Sequence, residues 1–169
     1  MILVALDASV LINFLVISKV SLLASLPGLG FVVPEEVVAE IRRPAQARAL
    51  AAAIDRGDLQ RLESMAPGEA DDFLRLNEDF GRGESACLAV AQARGWFIAC
   101  DERGAFLNRA RRVLGEGRML DTPTLLLLAI DADLLTIAEA DELKQELERA
   151  RFKMPFGSFR DLPGVGSNG

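Results

Sequence analysis

Histidine and tyrosine are absent from the chain, which has three lysines (Lys19, Lys144, Lys153), two cysteines and a single tryptophan. No Ser-His-Asp or Cys-His nucleophile, histidine-pair nuclease or tyrosine nucleophile can be assembled from such a set. None of the lysines sits in a catalytic setting, and no Gly-x-x-x-x-Gly-Lys-Ser/Thr phosphate loop occurs. Cys87 and Cys100 lie inside apolar segments without Cys-x-x-Cys spacing. They read as reduced core residues, which makes a cytoplasmic location the default. The opening residues lack the basic start of a secretory leader, and Asp7 splits their apolar run. The run 124–130 is too short to span a bilayer, so no membrane association is expected. If the chain is an enzyme, carboxylates and a bound metal are the chemistry left to it.

What is present fits that elimination. The 169 residues are half hydrophobic, enough for one domain with a full core, and acids outnumber bases 25 to 19 for a net charge of −6. Such a charge does not exclude a nucleic-acid partner, because a local basic surface matters more than the total. A single domain over residues 1–153 is expected, followed by a Gly/Pro/Ser-rich tail, 154–169, that reads as loose.

Apolar runs at 2–6, 31–33, 96–100 and 118–120 read as strands. Between them, helices are expected over 10–15, over 19–26 with Ser18 as cap, and from Pro34 through Glu40. Further helices are expected from Pro44 to about 56, over 69–80, and over 84–94 up to Gly95. An arginine-rich helix over 102–112 follows, then one opened by Asp121-Thr122-Pro123, then a last one over 136–151. Strands alternating with helices predict an α/β fold with a mostly parallel sheet, whose sites lie beyond the carboxyl ends of the strands.

That rule selects residues. Asp7 follows the first strand and Asp101 follows the strand 96–100, so a parallel sheet places both at one edge. Glu84 starts a helix after Gly81-Arg82-Gly83, and Glu40 lies on the helix after the second strand. Each alone has a plainer explanation: helix caps for the aspartates, a first-turn acid for Glu84, a solvated residue for Glu40, a turn hydroxyl for Ser9. Gathered at one point, carboxylates cannot all stay ionised without a cation, and Mg²⁺ accepts such oxygen ligands while keeping waters to activate.

The segments around these acids resemble one known family. Asp7-Ala8-Ser9 with the apolar residues after it resembles the opening motif of PIN domains. Residues 17–23 and 33–41, the Gly83-Glu84-Ser85-Ala86 helix start, and the strand 98–100 with Asp101-Glu102-Arg103 resemble a toxin-like subgroup of the same family. The likeness covers roughly residues 1–155, in order. It implies a three-layer α/β/α fold with a four- to five-stranded sheet and an acidic pocket for Mg²⁺ or Mn²⁺. It further implies endoribonuclease activity and pairing with an antitoxin, as in VapC-type toxins. Asp7 would be the central metal ligand, with Glu84 and Asp101 as further ligands, Glu40 completing the catalytic set, and Ser9 orienting Asp7 or a metal water. The subgroup often has two aspartates where this chain has Asp101-Glu102, so Glu102 is either a longer substitute ligand or a solvent-facing residue.

Arg103, Arg109 and Arg112, just after Asp101, are expected to hold RNA phosphates, against the plainer reading of a solvated face. Trp96 reads as core. A homodimer is expected from the abundance of apolar residues and the habit of the family. The competing reading is a non-catalytic PIN-like module that binds RNA or protein. A phosphatase of the Asp-x-Asp type ranks low, since position 9 is serine.

Overall fold

The computed structural model describes residues 1–165. Five strands form one parallel sheet in the order β3-β2-β1-β4-β5. They are β1 (Ile2–Leu6), β2 (Leu29–Pro34), β3 (Gln60–Leu62), β4 (Phe97–Ala99) and β5 (Met119–Leu120). Val4, Ala5, Leu6, Val33, Ile98 and Ala99 are completely buried, as continuous apolar strands covered by helices must be. The α/β architecture is the one the alternating pattern predicts. β3 was not foreseen: two of its three residues, Gln60 and Arg61, are polar and exposed, so it carries no hydrophobic signal.

The helices between β1 and β2 are α1 (Ala8–Val16) and α2 (Val20–Ser25); α3 (Glu35–Glu40) and α4 (Pro44–Asp55) follow β2. After β3 come α5 (Pro67–Leu76) and α6 (Arg82–Arg94), then α7 (Ala105–Leu114) after β4. α8 (Thr122–Asp131) and α9 (Ile137–Arg149) close the chain. Every residue of α6 from Ser85 to Ala91 is buried, and its small side chains let it lie close against the sheet.

Local details depart from the sequence reading for identifiable reasons. Ser18 does not cap α2; it sits in the left-handed region at φ 54°, and Lys19 holds the cap position without a side-chain bond. α6 starts at Arg82, two residues before the expected Glu84, with Gly81 as its cap. α7 starts three residues later than expected, after Gly104 at φ 66°, which leaves Glu102 in a loop. As far as residue 165 the expected loose tail is packed. Phe159 is completely buried, Met154 is buried, and Asp141 of α9 accepts from the Ser158 hydroxyl (2.6 Å) and the Phe159 amide (2.9 Å). Residues 166–169 of that tail lie outside the described residues.

Strand order places the site. From β1 the chain proceeds to β2 and β3 on one side, while β4 and β5 lie on the other. The crevice at the carboxyl ends of β1 and β4 is therefore the switch point where open parallel sheets bind ligands.

Candidate metal and catalytic centre

Asp7 and Asp101 both stand at this switch point. The ladder holds Leu6 opposite Ala99, and the Asp7 amide continues it by donating to the Ala99 carbonyl at 3.0 Å. Asp7 is buried and caps α1: its Oδ2 accepts from the Ser9 amide at 3.1 Å and the Ser9 hydroxyl at 2.6 Å. The Ser9 oxygen in turn accepts from the Asp101 amide at 3.0 Å. One hydroxyl thus ties the ends of β1 and β4 together, so Ser9 is more than a turn residue.

The Asp101 carboxylate is held by two residues the sequence reading did not name for the site. Oδ1 accepts from the Thr122 amide at 2.8 Å; Oδ2 accepts from the Thr122 hydroxyl at 2.5 Å and the Asn13 side-chain amide at 2.9 Å. Burial pushes the Asp101 carboxyl up from its ordinary value, and the bonds from Thr122 and Asn13 act against that rise, while the Asp121 charge adds to it. One signal for Asn13 was available: it is a buried amide in a helix whose other residues, Ser9 apart, are apolar, and buried polar groups require partners. Thr122 gave none beyond its place in a capping sequence, since Asp121 is the residue that caps α8.

The two glutamates come from the opposite side. The Glu40 carboxylate, at the end of α3, accepts from the Gly83 amide at 2.8 Å. Gly83 has to be glycine for this approach: a Cβ there would lie 2.8 Å from Glu40 Oε2 and 2.9 Å from Oε1. Glu84 reaches back to the Gly81 amide at 3.2 Å, half of a capping box. Its carboxyl is raised above the usual glutamate range, chiefly by burial. The Gly81 bond opposes the rise, and the nearby charges of Asp7, Glu102 and Glu40 reinforce it. That mutual repulsion is the electrostatic mark of one acidic cluster. Its compensation among the described residues is partial: α1, α6 and α8 all begin at this edge and turn their positive ends toward it.

No three Asp, Glu or Cys side chains of the described residues stand close enough to hold a metal ion as they are. Each acid is instead engaged by a neutral donor: Asp7 by Ser9, Asp101 by Thr122 and Asn13, Glu40 by Gly83, Glu84 by Gly81. The donor chemistry still suits a hard cation, because every anionic group here is a carboxylate. The soft groups nearby are thiols: Cys100 lies 3.6 Å from Asp7 Oδ2, and burial first, then the Asp7 charge, pushes the pKa of both Cys100 and Cys87 up.

The arginines expected to hold RNA are not equivalent. Arg103 and Arg112 are exposed. Arg109 is half-buried, 3.8 Å from Asp79 and 5.8 Å from the centre of the Phe80 ring, which ties it to the α5–α6 connection. Glu102 is exposed. Trp96 is only half-buried, and the Arg94 guanidinium lies 4.9 Å from its ring centre.

Comparison with known families agrees with the fold. Residues 3–155 match the model of the PIN domain family DUF3368, and the chain belongs to that family. Among curated protein sequences none matches. Among the described residues no helix is long and apolar enough to cross a membrane.

Proposed function

We propose that the chain is a metal-dependent endoribonuclease, with Asp7, Glu40, Glu84 and Asp101 as its acidic machinery and Mg²⁺ or Mn²⁺ as its cofactor. The observation that carries this reading is the convergence of Asp7 and Asp101 on adjacent strand ends, joined through Ser9, with the repelling charges of Glu40 and Glu84 beside them. PIN domains are typically nucleases that bind divalent metals, and membership in the family supports the same conclusion.

Asp7, Glu84 and Asp101 would hold the cation, with Glu40 beside them. Bound there, it would supply an activated water and charge stabilisation at a phosphoryl oxygen. The protein's own groups set the stage. Ser9 fixes one Asp7 oxygen, Oδ2, and Thr122 with Asn13 fixes the plane of the Asp101 carboxylate. Glu40 and Glu84 are each held by one backbone amide, from Gly83 and Gly81, and by no side-chain donor among the described residues. Glu102, exposed and outside the helix, is a supporting charge.

Cleavage of single-stranded RNA should vanish when the protein is stripped with EDTA and return on adding Mn²⁺ or Mg²⁺. Full-rate cleavage by the stripped protein would refute the metal reading and favour a different chemistry. Loss of all cleavage in every metal would favour the non-catalytic binding module.

As partners we propose a second copy of the chain and, in a toxin-like role, an antitoxin that covers the acidic cluster with a basic segment. The net charge of −6 favours such a plug. Expression of the wild type alone should then slow growth, Asp7→Asn should not, and light scattering should give twice 18.3 kDa. Harmless expression of a monomer would contradict both partner assignments.

A further inference from the structure

A groove of about 620 Å³ opens beside the acidic cluster, between α1, the α3–α4 connection and the end of α9. Its charged lining is Arg42, Arg43, Arg149 and Arg151 against one acid, Glu40; Asn13 lies at the same wall. Asn13 and Glu40 are also members of the cluster: Asn13 donates to Asp101, and Glu40 accepts from Gly83 next to Glu84. The groove therefore runs directly into the proposed site. All four arginines are exposed. Among the described residues none of them has a carboxylate within ion-pair distance; the pairs belong to Arg56, Arg61, Arg75, Arg94, Arg109 and Lys144.

The other side of Asp101 differs. A smaller cavity of about 190 Å³ there is lined by Arg103 and Arg111 but also by Asp101, Glu102, Glu116 and Asp121, so its carboxylates outnumber its guanidiniums. In a chain where acids outnumber bases, a polyanion therefore meets a net positive lining in the groove and a net negative one in this smaller cavity. A third observation concerns Arg151. It holds φ 71° at the end of α9, a left-handed position usually filled by glycine, while its amide and that of Phe152 bond back to Glu148 and Leu147. An arginine here is unfavourable for the backbone, so folding does not explain it.

We propose that this groove binds the phosphate backbone of single-stranded RNA on one side of the scissile bond, through Arg42, Arg43, Arg149 and Arg151. The proposal rests on the nuclease reading and moves the main phosphate contacts from the α7 arginines to the groove. Guanidinium groups contact phosphate in a bidentate way and position the strand without reading its sequence.

The test is fluorescence anisotropy of a labelled 12-nucleotide RNA on the Asp7→Asn background, with Mg²⁺ present, over a series of salt concentrations. Each lost phosphate contact should lower the slope of log affinity against log salt by about 0.7. Arg42→Ala with Arg43→Ala, and Arg149→Ala with Arg151→Ala, should each flatten it by about 1.4. Arg103→Ala with Arg112→Ala should leave it unchanged. Arg151→Gly separates binding from folding: its melting temperature should hold or rise while the slope falls. Unaltered slopes in the groove variants, or a flattened slope in the α7 variant alone, would overturn the proposal. A poly-glutamate of equal charge that binds as tightly, with the same arginine dependence, would also overturn it, and would make the groove a protein-docking surface. Cleavage by the wild type is scored separately: arginine-dependent binding without cleavage leaves the groove standing and removes the nuclease reading.

Discussion

Gly83 shows how little space separates structure from chemistry in this cluster. Alanine there would raise helix propensity at the start of α6 by roughly 1 kcal/mol, yet its Cβ would fall on the Glu40 carboxylate. A flexible glutamate tip can move, so we expect Gly83→Ala to melt within a few degrees of the wild type. Displacing Glu40 should nevertheless cut metal-dependent cleavage by about tenfold, some 1.4 kcal/mol of barrier. Full activity with unchanged stability would mean that Glu40 is only a cap for the Gly83 amide. The aspartates were legible in the sequence because a strand followed directly by an acid marks one edge of a parallel sheet. Asn13 and Thr122 were not, because their roles arise only when α1 and α8 meet Asp101 across the sheet edge. Arg149 and Arg151 of the groove escaped for the same reason: the end of α9 is remote in sequence from the α3–α4 connection and adjacent to it in space.

Among the elements, α5 and α6 are held together by a buried carboxylate. Glu69 of α5 is 5% exposed and receives both Arg94 guanidinium arms, at 2.5 and 2.8 Å, together with the Ala66 amide at 2.8 Å. The bond from Arg94 holds its carboxyl below the ordinary value, burial opposes this, and the Ala66 amide helps. A carboxylate whose folded pKa lies below its unfolded value of about 4.5 stabilises the protein above that pH. This contribution is lost as pH falls through the folded value. Glu69→Gln should therefore cost most at neutral pH, about 2–3 kcal/mol. That is less than a fully buried pair, because the Arg94 side chain keeps 29% exposure. In denaturant titrations the gap between variant and wild type should narrow below about pH 4.5. A gap independent of pH would show that shape, not charge, joins the two helices. Most helices were visible from their apolar spacing and from Pro and Gly punctuation. The exceptions were set by tertiary context: β3 is polar and gains its strand geometry by pairing with β2, and residues 154–165 hold only because α9 offers a pocket for Phe159 and oxygens for Ser158.

For the whole molecule, topology makes the site. Parallel strands meeting at the β1–β4 switch point bring Asp7 and Asp101 together, and α3 and α6 supply Glu40 and Glu84 from the flank. Under the proposed function, the absence of histidine leaves this cluster to activate water, and its surplus negative charge would be met by a cation. Asparagine caps a helix as well as aspartate does, so Asp7→Asn should keep the α1 cap and the fold while removing a charge from the proposed metal site. The decisive measurement is the rate of single-stranded RNA cleavage in Mn²⁺ by the wild type and by Asp7→Asn, with matched melting curves. We expect the variant to be slower by at least about 100-fold, roughly 2.7 kcal/mol of barrier, at unchanged stability. Equal rates from two equally folded proteins would contradict an Asp7-centred metal nuclease.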